Sequence, residues 1–128
     1  MALAESRLNA VGGAAEQWVL DHFVVNSGNR MTSTACVTLR RGRKTSEEVA
    51  SGNGPVYAAI RAIEKIIRHP VVLEDYQLQA VTEYRDALGE ARVKISDASG
   101  VYRGRGVSTD VIEASLLACL AAVNRMLA

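Results

Sequence analysis

Three successive strand-like stretches, the second alternating with a period of two, give way in this chain to apolar residues at three- and four-residue spacing, and the same order then runs again. The first stretch, residues 17–26, carries Trp18, Val19, Leu20, Phe23, Val24 and Val25, and the turn formers Asn26-Ser27-Gly28-Asn29 end it. The second, residues 31–39, sets Thr32, Thr34, Cys36 and Thr38 on one face and Ala35, Val37 and Leu39 on the other. After the turn Arg40-Arg41-Gly42-Arg43, a short polar strand over residues 44–49 leads to Gly52-Asn53-Gly54-Pro55. That tetrapeptide predicts a helix start, with Asn53 as cap and Pro55 in the first turn, where its missing N–H costs nothing. Ala59, Ile60, Ile63, Ile66 and Ile67 then form one apolar stripe along a helix over residues 55–68, which His69-Pro70 stops.

Strand patterns recur at residues 73–83, 90–96 and 101–107, divided by turn signals at 86–89 and 97–100, and a helix follows to about Leu127. Its start is marked by Thr109-Asp110, with Ser108 or Thr109 as the capping side chain and Asp110 and Glu113 in the first turn. The offset that lays Ala35, Val37 and Leu39 over Ala91, Val93 and Ile95 also lays Ala58 over Ala114 and Ala62 over Ala118. The pattern therefore predicts an α+β fold of two pseudo-symmetric strand-strand-strand-helix units, helices packed on antiparallel sheet. Neither unit buries its apolar face alone.

Composition narrows this picture. A chain of 128 residues suits one domain. Residues 1–16, rich in small side chains and containing Gly12-Gly13, read as a linker or disordered start, leaving 17–128 as the domain. Aromatic residues make up only 5% of the chain, so Ala, Val, Leu and Ile must fill the core. A net charge of +1 argues against a nucleic-acid or other polyanion surface. Cys36 and Cys119 sit inside apolar or alternating runs and read as buried free thiols. The chain shows no signal-peptide pattern and no apolar run long enough to span a bilayer, so a cytoplasmic location without membrane contact is expected.

Few residues offer chemistry. His22 and His69 lack neighbours at metal-ligand spacing, so neither a metal nor a cofactor is expected, and no nucleophile elbow or Cys-His set is present. Glu74 and Asp75, adjacent on a strand, point to opposite faces and read as a solvated strand end. Gly104-Arg105-Gly106-Val107-Ser108-Thr109-Asp110 has the look of a phosphate loop before a helix, but it lacks the P-loop Lys and dinucleotide spacing. A strand exit with a capped helix suits it better. Leu73, Tyr76 and Ala80 suit either a pocket for a branched apolar group or ordinary core packing, and the residues alone favour packing.

Taken in order, Gly52-Asn53-Gly54-Pro55-Val56, Leu73-x-Asp75-Tyr76, Asp86-Ala87-Leu88-Gly89-Glu90, the run from Gly104-Arg105-Gly106 to Ala114-Ser115, and Asn124-Arg125 form a specific set. They resemble the C-terminal allosteric domain of 2-isopropylmalate synthases and the related citramalate synthases, over residues 17–127. The resemblance implies a homodimer with an amino-acid effector bound near the interface, leucine in the first case and isoleucine in the second. It implies an effector pocket lined by Leu73, Tyr76 and Ala80, with Tyr57 near them. Gly52, Asn53 and Gly54, and Val107, Ser108, Thr109 and Asp110, would present backbone groups and helix N-termini to the effector's charged ends. The chain departs from the family at Tyr57, often a small polar residue, and at Tyr84-Arg85, where a Gly often precedes Asp86-Ala87. The family's catalytic barrel, an acetyl-CoA-dependent acyltransferase with a His-x-His metal motif, has no counterpart in the sequence, so no catalytic residues are expected. Two rival readings are a purely structural dimerisation domain and a small enzyme acting on a phosphorylated substrate.

Overall fold

The computed structural model describes residues 17–28, 31–83 and 86–128, so the expected linker over 1–16 and the Tyr84-Arg85 departure lie outside the described residues. Strands β1 (Val19–Gly28), β2 (Met31–Arg41) and β3 (Lys44–Gly52) precede helix α1 (Pro55–Ile67). Strands β4 (Val72–Glu83), β5 (Asp86–Asp97) and β6 (Gly100–Ser108) precede helix α2 (Val111–Leu127). Each trio forms one antiparallel sheet in sequence order. This is the α+β duplication expected from the pattern.

The repeat holds at the level of register. Ala35 faces Ala50 as Ala91 faces Gly106, Val37 faces Glu48 as Val93 faces Gly104, and Leu39 faces Ser46 as Ile95 faces Tyr102. Each first strand is irregular at the same place, between Leu20 and His22 in β1 and between Leu73 and Asp75 in β4. An extra residue there shifts the alternation by one and bends the edge strand.

Ala35, Val37 and Leu39 of β2 and Ala91, Val93 and Ile95 of β5 meet Ala58, Ala59, Ala62 and Ile63 of α1 and Ala114, Leu116, Ala118 and Ala122 of α2 in one continuous core. Neither helix covers its sheet fully: α1 lies over β2 and β3 and α2 over β5 and β6, which leaves Leu78 on β4 44% exposed. Gly104 and Gly106 lie directly beneath α2, where a Cβ on Gly104 would stand 2.6 Å from the Ala122 nitrogen and one on Gly106 2.7 Å from the Ala118 nitrogen. The Gly-Arg-Gly motif is therefore a backbone-to-helix contact surface, two bare positions with a period of two under an alanine stripe.

Each unit is also tied to the other's helix. The Asn124 side chain near the end of α2 accepts from the Trp18 N–H at 2.9 Å and donates to the Trp18 carbonyl at 3.0 Å, just before β1. Reciprocally, Glu64 of α1 accepts from the Val71 N–H at 2.9 Å, just before β4.

Several sequence expectations are corrected. The turn expected at 86–89 is strand, because these residues pair with Ala80–Glu83 in the ladder. Likewise β1 runs on through Asn26 to Gly28, Asn26 pairing with Thr34, and β3 continues to Gly52. Ladder pairing outweighs turn propensity at these positions. Asn53 does not cap α1: Gly54 is the N-cap, with φ 107° and no side-chain hydrogen bond, a conformation that suits glycine. At α2 the cap is Asp110, and neither Ser108 nor Thr109 fills that place; its carboxylate accepts from the N–H groups of Ile112 and Glu113.

Asp97 closes the β5–β6 turn by accepting from the Ser99 hydroxyl at 2.6 Å and the Ser99 N–H at 2.8 Å, and it pairs with His69 Nε2 at 2.7 Å. The Ser99 hydroxyl first, and then His69, hold its carboxyl at about 2, below the ordinary 3.8. Because the folded value is the lower one, this contribution to stability is complete above 3.8 and fades as pH falls toward 2. An Asp97→Asn chain is expected to be less stable at neutral pH and to show a shallower decline across that acid window. Urea midpoints measured through it check this, and parallel declines would count against it.

Candidate functional site

The residues expected to bind an effector fall into two groups. The first surrounds the start of α1. Gly52, Asn53 and Tyr57 line a cavity of about 530 Å³ together with Thr32, Ser51 and Arg61. Gly52 lets the helix come close, since a Cβ there would stand 2.9 Å from the Ala58 nitrogen. The Gly54 N–H turns back to the Gly52 carbonyl at 3.0 Å, and the Gly54 carbonyl accepts the first helical bond from Ala58. The first turn of α1 holds no acidic side chain and meets no capping side chain. The positive dipole end of α1 therefore lies beside the cavity with no acidic side chain in its first turn, although Pro55 contributes no N–H there. Tyr57 is half exposed, and Arg61 stands one turn further along the same side.

The second group surrounds the start of α2. Ala80, Gly89 and Ser108 form one cross-strand row on the helix side of the second sheet, and Tyr76 faces Val93 on that same side. The Tyr76 hydroxyl lies 2.7 Å from Ser115 Oγ, and Ser115 in turn donates to the Val111 carbonyl at 2.9 Å. With the Ser115 proton committed to Val111, the phenol donates to Ser115. This chain of bonds fixes the Tyr76 ring against α2. Leu73 packs at the margin of the core, whereas Ala80 is exposed beside Leu78. A Cβ at Gly89 would touch Val111 at 3.4 Å, so Gly89 and the half-exposed Val111 continue the open apolar surface of β4.

Val107 stands apart from its neighbours. It pairs with Glu90 and so points to the sheet's other face, away from Ala80 and Ser108. Ser108 donates to the Glu113 carboxylate at 2.5 Å and accepts from the Asp110 N–H at 3.1 Å; Thr109 is exposed. The start of α2 thus carries two carboxylates, Asp110 and Glu113, and the N–H groups of Ile112 and Glu113 are already bonded. An anionic group is favoured at α1 and disfavoured at α2.

The structure therefore sets Tyr76, Ala80 and Ser108 on one face of the second sheet and gathers Gly52, Asn53 and Tyr57 around one cavity, but within one chain Tyr57 lines the cavity at the start of α1 while Tyr76 packs against α2. Thr32, Arg61, Ser115 and Glu113 also belong to these surroundings and were not singled out from sequence. Ser115 had a readable signal, as a lone hydroxyl inside an apolar helical run. Thr32 and Arg61 had none, because only the folded ladder brings them beside Asn53. Among the described residues no set of His, Cys, Asp and Glu is arranged to hold a metal ion, and no helix is long and apolar enough to cross a membrane.

The chain is thus a duplicated βββα domain with a part-open sheet face and an uncapped helix start beside a cavity. The chain is a member of the LeuA allosteric (dimerisation) domain family, which matches residues 1–127. It is 48% identical over 110 residues to a 2-isopropylmalate synthase of Ruminiclostridium cellulolyticum, covering 86% of this chain and 22% of that protein. It is 40% identical over 129 residues to one from Rhodopirellula baltica, covering 100% of this chain and 24% of the relative. With one from Dictyoglomus turgidum it shares 46% identity over 112 residues, 87% of this chain and 22% of the relative. The chain thus spans less than a quarter of the length of these relatives and corresponds to their regulatory domain.

Proposed function

We propose that this chain is the leucine-sensing half of a feedback-inhibited 2-isopropylmalate synthase, working in the cytoplasm as a homodimer attached to a catalytic barrel. The observation that carries the reading is the division of an amino-acid site between two places. The start of α1, between Gly52 and Tyr57, suits a carboxylate, and the sheet face that holds the part-buried Leu73 and Tyr76 and the exposed Ala80 suits a branched apolar side chain. One chain holds these halves apart, and a second copy laid across the uncovered face of β4 supplies the missing half to each. The Leu78 and Val111 side chains, 44% and 41% exposed, give that pairing its apolar contact. The names of the relatives and the wording of the Gly104 to Ser115 run favour leucine over isoleucine.

The chain is therefore expected to sediment as a dimer at about 10 μM, where obligate pairs persist. A monomer at that concentration would remove the composite site. The pocket itself is tested by Ala80→Val, which adds methyl groups on the sheet face that Tyr76 shares while leaving the fold intact, because Ala80 is exposed. Overpacking of this size weakens leucine by about tenfold. Unchanged leucine affinity in Ala80→Val would move the side-chain pocket elsewhere, and a preference for isoleucine would place the chain with the citramalate synthases.

A further inference from the structure

The outer face of the second sheet, turned away from both helices, carries a concentration of positive charge that the chain's net charge of +1 conceals. Arg92 pairs directly with Arg105 and Lys94 with Arg103, so two adjacent cross-strand rows are each cation against cation. Like charges directly opposite in a ladder destabilise it. The duplication supplies an internal control: the equivalent pairs in the first sheet are Cys36 with Val49 and Thr38 with Glu47, and neither is cationic. The fold therefore does not require these cations.

They border a groove of about 370 Å³, which Arg125 from the last turn of α2 also lines. One carboxylate, Asp75, lines it too, opposite Lys94, and accepts a hydrogen bond from the Gln77 amide at 3.2 Å. Glu90 is paired with Arg105 and lies 3.7 Å from Arg92, and the Arg105 guanidinium holds its carboxyl below the usual range. Among the described residues, Lys94, Arg103 and Arg125 have no ion-pair partner. The site thus combines a concave shape, three uncommitted cations and two guanidinium groups already oriented by Glu90.

We propose that this groove binds a polyphosphate group, separately from the effector site. Guanidinium forks match phosphate oxygens in pairs, and the unpaired Lys94 adds a compact charge between them. Binding relieves the repulsion within each row, which gives the ligand a favourable contribution beyond its direct contacts. The groove is too small and too local for a nucleic-acid track, so a small molecule carrying two or more linked phosphates is its occupant.

Calorimetric titration of the chain with inorganic pyrophosphate, tripolyphosphate and adenosine triphosphate tests this. All three are expected to bind saturably. Tighter binding of the nucleotide assigns the site to nucleotides, and equal binding assigns it to the phosphate chain alone. Lys94→Gln combined with Arg103→Gln is expected to weaken pyrophosphate by about tenfold or more, since charge-assisted hydrogen bonds are lost. The melting temperature of that variant should not fall, because a like-charge row is removed. Arg40→Gln combined with Arg43→Gln removes the same charge from exposed positions of the first unit and should leave binding within about twofold. Absence of saturable binding, or equal losses in the two double variants, would overturn the proposal. Either result is independent of whether leucine binds.

Discussion

Replacing Gly104 by alanine is expected to cost about 3 kcal/mol or more of stability, and replacing it by valine to prevent folding. In a strand an alanine would ordinarily gain over glycine by restricting the unfolded chain. Here the new Cβ would enter the backbone of α2, 2.6 Å from the Ala122 nitrogen and still closer to the Ala118 carbonyl. No side-chain rotation relieves a clash with helical backbone, so α2 must lift from β6 and uncover Leu116, Ala118 and Ala122, all fully buried. Gly89→Ala is the matched control. Its Cβ makes ordinary contacts, with the Val111 side chain at 3.4 Å and the Ser108 carbonyl oxygen at 3.5 Å, and its cost should stay within about 1 kcal/mol. Urea midpoints of the two variants should therefore differ widely. Similar midpoints would mean that the close approach of α2 to β6 is not what makes glycine necessary.

Asn124→Ala is expected to cost about 2 to 3 kcal/mol, far more than a typical substitution at a helix end. One amide side chain serves both the N–H and the carbonyl of Trp18, and truncation leaves both backbone groups without their partner. The loss should appear first at the start of β1, as faster amide exchange at Trp18 and the next residues than in α1 or β5. Asn124→Asp separates the two bonds, since a carboxylate still accepts from the Trp18 N–H but cannot donate to its carbonyl. Its destabilisation should be intermediate. A stable Asn124→Ala chain with unchanged exchange at β1 would show that the cross-unit tie contributes little.

The fold was legible because two periodicities carry it: the alternation of Ala35, Val37 and Leu39, repeated in Ala91, Val93 and Ile95, and the isoleucine and alanine stripes of the helices. Where the reading failed, long-range pairing had overruled a local signal. The Asp86-Ala87-Leu88-Gly89 segment has turn composition but is held as strand by Ala80–Glu83 across the ladder. Asn53 has a capping side chain, but the tight Gly52-to-Gly54 turn gives the cap position to Gly54. The Gly-Arg-Gly motif was set aside as a phosphate loop for want of a lysine, and its reason for being glycine, contact with α2, needs the helix in place to be seen. The basic groove was hidden for a different reason. Arg92, Lys94, Arg103 and Arg105 lie two apart on separate strands, and an overall charge near zero says nothing about which face such residues share.

For the candidate site, sequence and resemblance proposed residues but left open their division between the two helix starts. Ser108, Thr109 and Asp110 looked equivalent to Gly52, Asn53 and Gly54 as anion-facing positions. In the folded chain Asp110 and Glu113 make the second of these places acidic, while the first stays open. That asymmetry depends on which side chain bends back to cap the helix, which residue type alone leaves undecided.

Leucine binding is the most direct test of the regulatory reading. Titrating the dimer calorimetrically with leucine should give saturable binding with weaker binding of isoleucine. The melting temperature should rise with leucine concentration, corresponding to about 2.7 kcal/mol at a hundredfold excess over the dissociation constant. Neither heat nor a thermal shift from leucine, with the chain folded and dimeric, would contradict that reading and leave a structural pairing domain in its place.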